Sequence, residues 1–64
     1  MAETAEKRVS FPFHVVVVLD GEENFYDGFL TAGSAEQAAT SANREAERLE
    51  IKSRYEVRDG VWKS

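Results

Sequence analysis

The chain has 64 residues and a mass of 7.2 kDa, with twelve Asp/Glu, eight Lys/Arg, a formal net charge of −4 and no cysteine. That allows one small domain and excludes disulfide staples and Cys-ligated zinc. The longest apolar run, 15–19, falls far short of the ~20 residues of a membrane-spanning helix, and no signal-like apolar segment opens the chain, so a cytoplasmic location is expected.

Residues 1–10 are polar, small and aperiodic, and read as a disordered tail ahead of a single domain over 11–64. Pro12 stands where a strand can begin without a backbone N–H. A first strand is predicted over 13–19, apolar on both alternating sides, which suits a central strand. Residues 20–24, Asp-Gly-Glu-Glu-Asn, read as a turn, since Gly21 and Asn24 tolerate positive φ. A second strand over 25–32 then pairs back antiparallel. Ser34 N-caps a helix over 34–49, with Gln37 at the capping-box spacing. Ala35, Ala38, Ala39, Ala42, Ala46 and Leu49 fall in one stripe ~100° wide, which lets the helix approach a sheet closely. Asp59-Gly60, flanked by Tyr55, Val57, Val61 and Trp62, predicts a closing hairpin over 55–64 in which Val57 opposes Trp62.

The order of elements gives an α+β fold: an antiparallel ββαβ(β) sheet with one helix packed on one face and the first strand in the centre. For an even-length connection, odd residues of the first strand share a face with even residues of the second. One face is then Phe13, Val15, Val17, Leu19, Tyr26, Gly28, Leu30 and Ala32. Tyr55, Val57 and Trp62 join it beneath the helix, and Gly28 leaves room for a helix alanine. The other face carries His14, Val16, Val18, Asp20, Phe25, Asp27, Phe29 and Thr31. Val16, Val18, Phe25 and Phe29 are left as an open apolar patch, each worth ~1.5–3 kcal/mol if buried. A patch of this kind marks a partner-binding surface. The competing readings are a shifted register, or residues 1–10 folding over the patch.

The charge surplus is local. Residues 1–10 balance, and residues 34–64 hold as many acids as bases, so the excess resides in Asp20, Glu22, Glu23 and Asp27 around the predicted turn. Such a knob either keeps a hairpin tip solvated or serves as a handle for a basic partner, with Glu22 and Glu23 as the candidate contacts. Arg44, Arg48, Lys52, Arg54, Arg58 and Lys63 raise the question of nucleic acid. Glu45, Glu47, Glu50 and Glu56 interleave with them, and the pI is about 4.8, so a solvated mixed-charge surface is the better reading. Four acids around one turn are too few for a DNA mimic.

No chemistry announces itself. His14 is the one histidine, and the serines lack nucleophile-elbow glycines. Asp20, Glu22 and Asn24 alternate like calcium ligands, but Phe25 stands where that loop requires glycine and the closing glutamate is missing. The four glycines make no phosphate-binding spacing. No catalytic residue, cofactor or metal is expected.

The run Phe29-Leu30-Thr31-Ala32-Gly33-Ser34-Ala35-Glu36-Gln37-Ala38 ends a strand in small residues at a capped, Ala-rich helix. Together with the closing Val57-Arg58-Asp59-Gly60-Val61-Trp62, it resembles small phage-encoded proteins that disable host machinery. Short inhibitors of bacterial RNA polymerase and type I anti-CRISPR proteins are examples. The resemblance covers about fifty residues in size and element order, and no functional residue carries over. It implies occlusion of a site on a larger host complex without chemistry. The expectation is a non-enzymatic protein-binding module, phage or mobile-element encoded, contacting its partner through Val16, Val18, Phe25, Phe29, Glu22 and Glu23. A homodimeric assembly module is the alternative, and a nucleic-acid-binding module the third reading.

Overall fold

Four elements follow one another in the computed structural model, which describes residues 11–62: β1 (Phe13–Leu19), β2 (Glu22–Phe29), α1 (Ala32–Arg48) and β3 (Arg54–Asp59). The tail expected over 1–10 lies outside the described residues. The sheet order is β2-β1-β3, with both neighbours antiparallel to β1. The expected α+β architecture is therefore present, with the most apolar strand in the centre.

The β1–β2 reversal takes two residues rather than five. Asp20 and Gly21 both have positive φ, 55° and 82°. Two left-handed residues match the twist of a tight hairpin. Glu22, Glu23 and Asn24 consequently belong to β2, opposite Leu19, Val18 and Val17.

A bulge then changes which residues share a face. Val16 opposes Phe25 but Val15 opposes Asp27, so Tyr26 is an extra residue in β2. One inserted residue reverses the alternation of everything beyond it. Phe29 therefore lies opposite Phe13 and packs under the helix against the cluster of Val15, Ala35 and Ala39. Gly28 lies opposite His14 on the second face, where the Phe11 ring fills the space that a Cβ would need. Both placements correct the expected faces.

Helix α1 begins three residues earlier than its sequence signals suggest. Thr31, in extended conformation, is the N-cap, and its hydroxyl accepts from the Ser34 N–H at 3.1 Å. Ser34 sits at the third helical position instead of capping. The C-terminus closes through Ile51 N–H to Ala46 C=O at 2.8 Å and Glu50 N–H to Glu47 C=O at 3.1 Å, the paired bonds of a Schellman end. This end places Glu50 at φ 59°, where glycine is favoured, and next to the negative end of the helix dipole. Glu50→Gly is accordingly expected to raise stability by about 1 kcal/mol. Urea unfolding measures this; an unchanged or lowered midpoint would show that the position carries no strain.

No fourth strand follows β3 among the described residues. Gly60 has φ 85°, and its N–H donates to Pro12 C=O at 2.7 Å, extending the β1–β3 ladder by one bond. Asp59-Gly60 thus turns the chain out of the sheet instead of forming the expected hairpin. Trp62 lands on the second face, against His14 and Phe25, and not beneath the helix.

Of the predicted helix stripe, Ala35, Ala39 and Ala46 are buried, while Ala38 and Ala42 are half-buried and Leu49 is exposed. The helix bears chiefly on β3, less on β1 and least on β2. That lean decides where the surface is left open.

Candidate functional site

The face opposite the helix was the expected binding surface, and the chain covers most of it itself. Val16 is fully buried, His14 is 5% exposed, and Val18 and Phe25 are half-buried. His14 is fixed by a bond between Nδ1 and the Gly60 carbonyl at 2.8 Å. Its ring stacks on Phe25 with centroids 6.3 Å apart and meets the Trp62 edge at 5.9 Å. Offset and edge-on aromatic contacts of this kind add to the burial energy of the rings. The cover comes from Trp62, against His14 and Phe25, and from Phe11, whose ring lies over Gly28 opposite His14.

Charged side chains complete that cover. Glu56 lies opposite Val16, and Glu23 opposite Val18, on the two strands flanking β1. Arg58 binds Glu23 at 2.8 Å and Glu56 at 2.9 Å, so one guanidinium bridges from β3 across to β2. The Glu23 bond first, and the Glu56 bond second, hold the Arg58 proton more firmly than usual despite some desolvation. Glu23 is therefore committed within the chain. Asp27 is committed too, its carboxylate accepting the Gly28 N–H at 2.8 Å. Glu22 remains exposed opposite Leu19.

The six residues expected to contact a partner are thus not one site. Val16, Val18, Phe25 and Glu23 share the second face, with Val16 inaccessible. Phe29 is under the helix, and Glu22 lies at the hairpin end.

Both sheet edges are blunted. On β3, Asn43 of α1 donates to Tyr55 C=O at 2.8 Å and accepts from Tyr55 N–H at 2.7 Å, standing in for a neighbouring strand. On β2, the Tyr26 bulge breaks the regular edge, and Asp27 occupies one N–H. Bulges and covering side chains are the usual means of preventing edge pairing.

What stays open is on the helix side. Because α1 leans toward β3, a groove of about 470 Å³ lies along its other flank, between the helix and β2. Ala38, Ala42 and Ala46 form its floor, and Tyr26, Tyr55, Leu49 and Ile51 its walls. Tyr26 is 47% exposed, and Leu49 and Ile51 are each 51% exposed. The Tyr26 and Tyr55 rings meet edge-on at 4.8 Å, which gives the wall a defined shape. Glu45 at the rim is paired with Arg48. A second cleft, of about 530 Å³, is larger but polar: Arg44 and Lys52 share it with Glu47, and its Asn43 is already used. The apolar groove is the better candidate because large side chains remain wet there.

Sequence reasoning missed this groove by assigning the whole alanine stripe to the sheet interface. Alanines fill little volume, so a narrow contact along Ala35, Ala39 and Ala46 leaves the stripe's other half uncovered. The signal was present in the bulky exposed neighbours Leu49 and Ile51 just past the helix end.

The arrangement defines a small α+β domain offering one apolar, aromatic-walled groove. Comparison with protein-family models, curated proteins and solved structures finds no match. Among the described residues, no cluster of three or more His, Asp or Glu side chains is placed to hold a metal ion. No helix among them is long and apolar enough to cross a membrane.

Proposed function

We propose that this chain is a non-enzymatic protein-binding module that seats an apolar side chain of a partner protein in the groove between α1 and β2. The observation carrying this reading is the convergence of Tyr26, Leu49 and Ile51, each about half exposed, on one concave surface. Wet apolar groups of that size are a standing cost that a partner relieves. The small-residue floor supports the reading, since it admits a projecting side chain. Inhibition by occluding a site on a larger complex is the proposed mode of action, by its likeness in element order to small phage inhibitors. A cytoplasmic location belongs to the same proposal.

The test is parallel affinity capture with the wild type and with Leu49→Lys, which places a charge in the groove wall without disturbing a buried contact. A retained protein should be lost from the variant by at least about tenfold, equivalent to ~1.4 kcal/mol. Circular dichroism should show the variant folded. Equal retention by both chains would remove the groove from the interface. Self-association in light scattering that Leu49→Lys abolishes would assign the groove to a second copy.

A further inference from the structure

We infer that the outer edge of β3 is a latent strand-addition surface for a second copy of this chain, held closed by Asn43. Two observations fix which backbone groups point outward. Asn43 takes both the N–H and the C=O of Tyr55, so these groups face away from β1. Gly60 N–H donates inward to Pro12 C=O. In an antiparallel strand the direction alternates with each residue, so both observations place Tyr55, Val57 and Asp59 outward and Arg54, Glu56, Arg58 and Gly60 inward. With Tyr55 occupied, the open groups are the Val57 N–H and the N–H and C=O of Asp59. The Val57 C=O accepts from Arg58 Nη1 at 3.3 Å, a bond the incoming strand would displace or share.

Side-chain charge then selects the partner and the register. Two copies of β3 running antiparallel about a two-fold axis at Val57 place Glu56 of each chain opposite Arg58 of the other. A two-fold axis at Glu56 instead sets Glu56 against itself and Arg54 against Arg58. An axis at Arg58 sets Arg58 against itself. An axis at Tyr55 meets the Asn43 amide. Like charges directly opposite are destabilising and opposite charges favourable, so the registers centred on Val57 and on Tyr55 (Arg54 opposite Glu56) are self-complementary, and the Val57-centred one meets the Asn43 amide at its margin and not at its dyad. In that register Tyr55 would pair with the second copy's Asp59, which is where the Asn43 amide now sits. Asn43 is the lock because it makes the two bonds that the incoming strand would make. The edge is made of backbone groups, whereas the groove takes only the Tyr55 ring from β3, so the test of the edge does not depend on the groove's role.

Sedimentation and light scattering over a concentration series test the inference. Wild type should remain monomeric through this edge, while Asn43→Ala should associate at least tenfold more tightly. Adding Val57→Pro to Asn43→Ala should return the chain to monomer, since proline removes the outward N–H at the dyad and is tolerated on an edge. A folded Asn43→Ala chain that stays monomeric at millimolar concentration would overturn the inference. So would association that Val57→Pro leaves unchanged. Amide exchange on the wild type gives a reading that does not depend on any variant folding: Tyr55 should exchange slowly, and Val57 and Asp59 quickly. A protected Val57 amide in the monomer would show that the edge is not open there.

Discussion

Val16→Asp is expected to unfold the domain. Val16 is fully buried at the centre of β1, between Phe25 on one neighbouring strand and Glu56 on the other. A carboxylate there would face the aromatic cover with no cation free, because Arg58 is already shared by Glu23 and Glu56. An unpaired buried charge costs several kcal/mol. A domain of this length has only about 3–10 kcal/mol in total, at ~0.05–0.15 kcal/mol per residue. Circular dichroism at 25 °C should show loss of the folded signal. Val18→Asp is the control: this half-buried neighbour two residues along the same face should cost far less. If both variants fold equally well, the second face is wet and its cover does not hold.

The next largest effect is expected of Trp62→Ala. Trp62 belongs to no regular element, yet its ring lies 5.9 Å from His14 and 6.1 Å from Phe25. Removing it would uncover His14, Phe25 and the Val16 beneath them. Truncating a buried tryptophan costs ~3–5 kcal/mol, and a half-buried one proportionally less, so about 2–3 kcal/mol is expected. Thermal unfolding followed at 222 nm measures the loss. Trp62→Phe should recover most of it by keeping a ring in place. A shift below ~0.5 kcal/mol, the range of ordinary surface changes, would mean that the ring merely rests on the sheet.

The legible part of this fold was what depends on periodicity. The two-sided apolar run of 13–19 identified the central strand, and the alanine spacing identified the helix. What failed depended on single residues that alter geometry. Tyr26, inserted opposite no partner, exchanged Phe29 and Gly28 between faces; an isolated glycine within a strand is the signal of such a bulge or of close approach. Asp59-Gly60 carries a strong hairpin signal, but Gly60 uses its positive φ to leave the sheet, and Trp62 packs on His14 and Phe25 instead of extending a fourth strand. The N-cap moved from Ser34 to Thr31 because either hydroxyl can serve, and Thr31 allows one more helical turn. The groove was legible only in its apolar end at Leu49 and Ile51; its position was not, because it arises from the lean of one helix, which depends on the sizes of the strand side chains that prop it.

The hydrogen bond between Gly60 and Pro12 has a consequence for how this domain can be used. The backbone enters the fold and leaves it at adjoining points, on neighbouring strands. A domain with such a doorway can be spliced into a surface loop of another protein without prising that loop apart. Pro12 and Gly60 could equally be joined by a short linker and fresh ends opened at the Asp20-Gly21 reversal. The groove between α1 and β2 would travel intact in either arrangement, because neither operation touches the residues that line it.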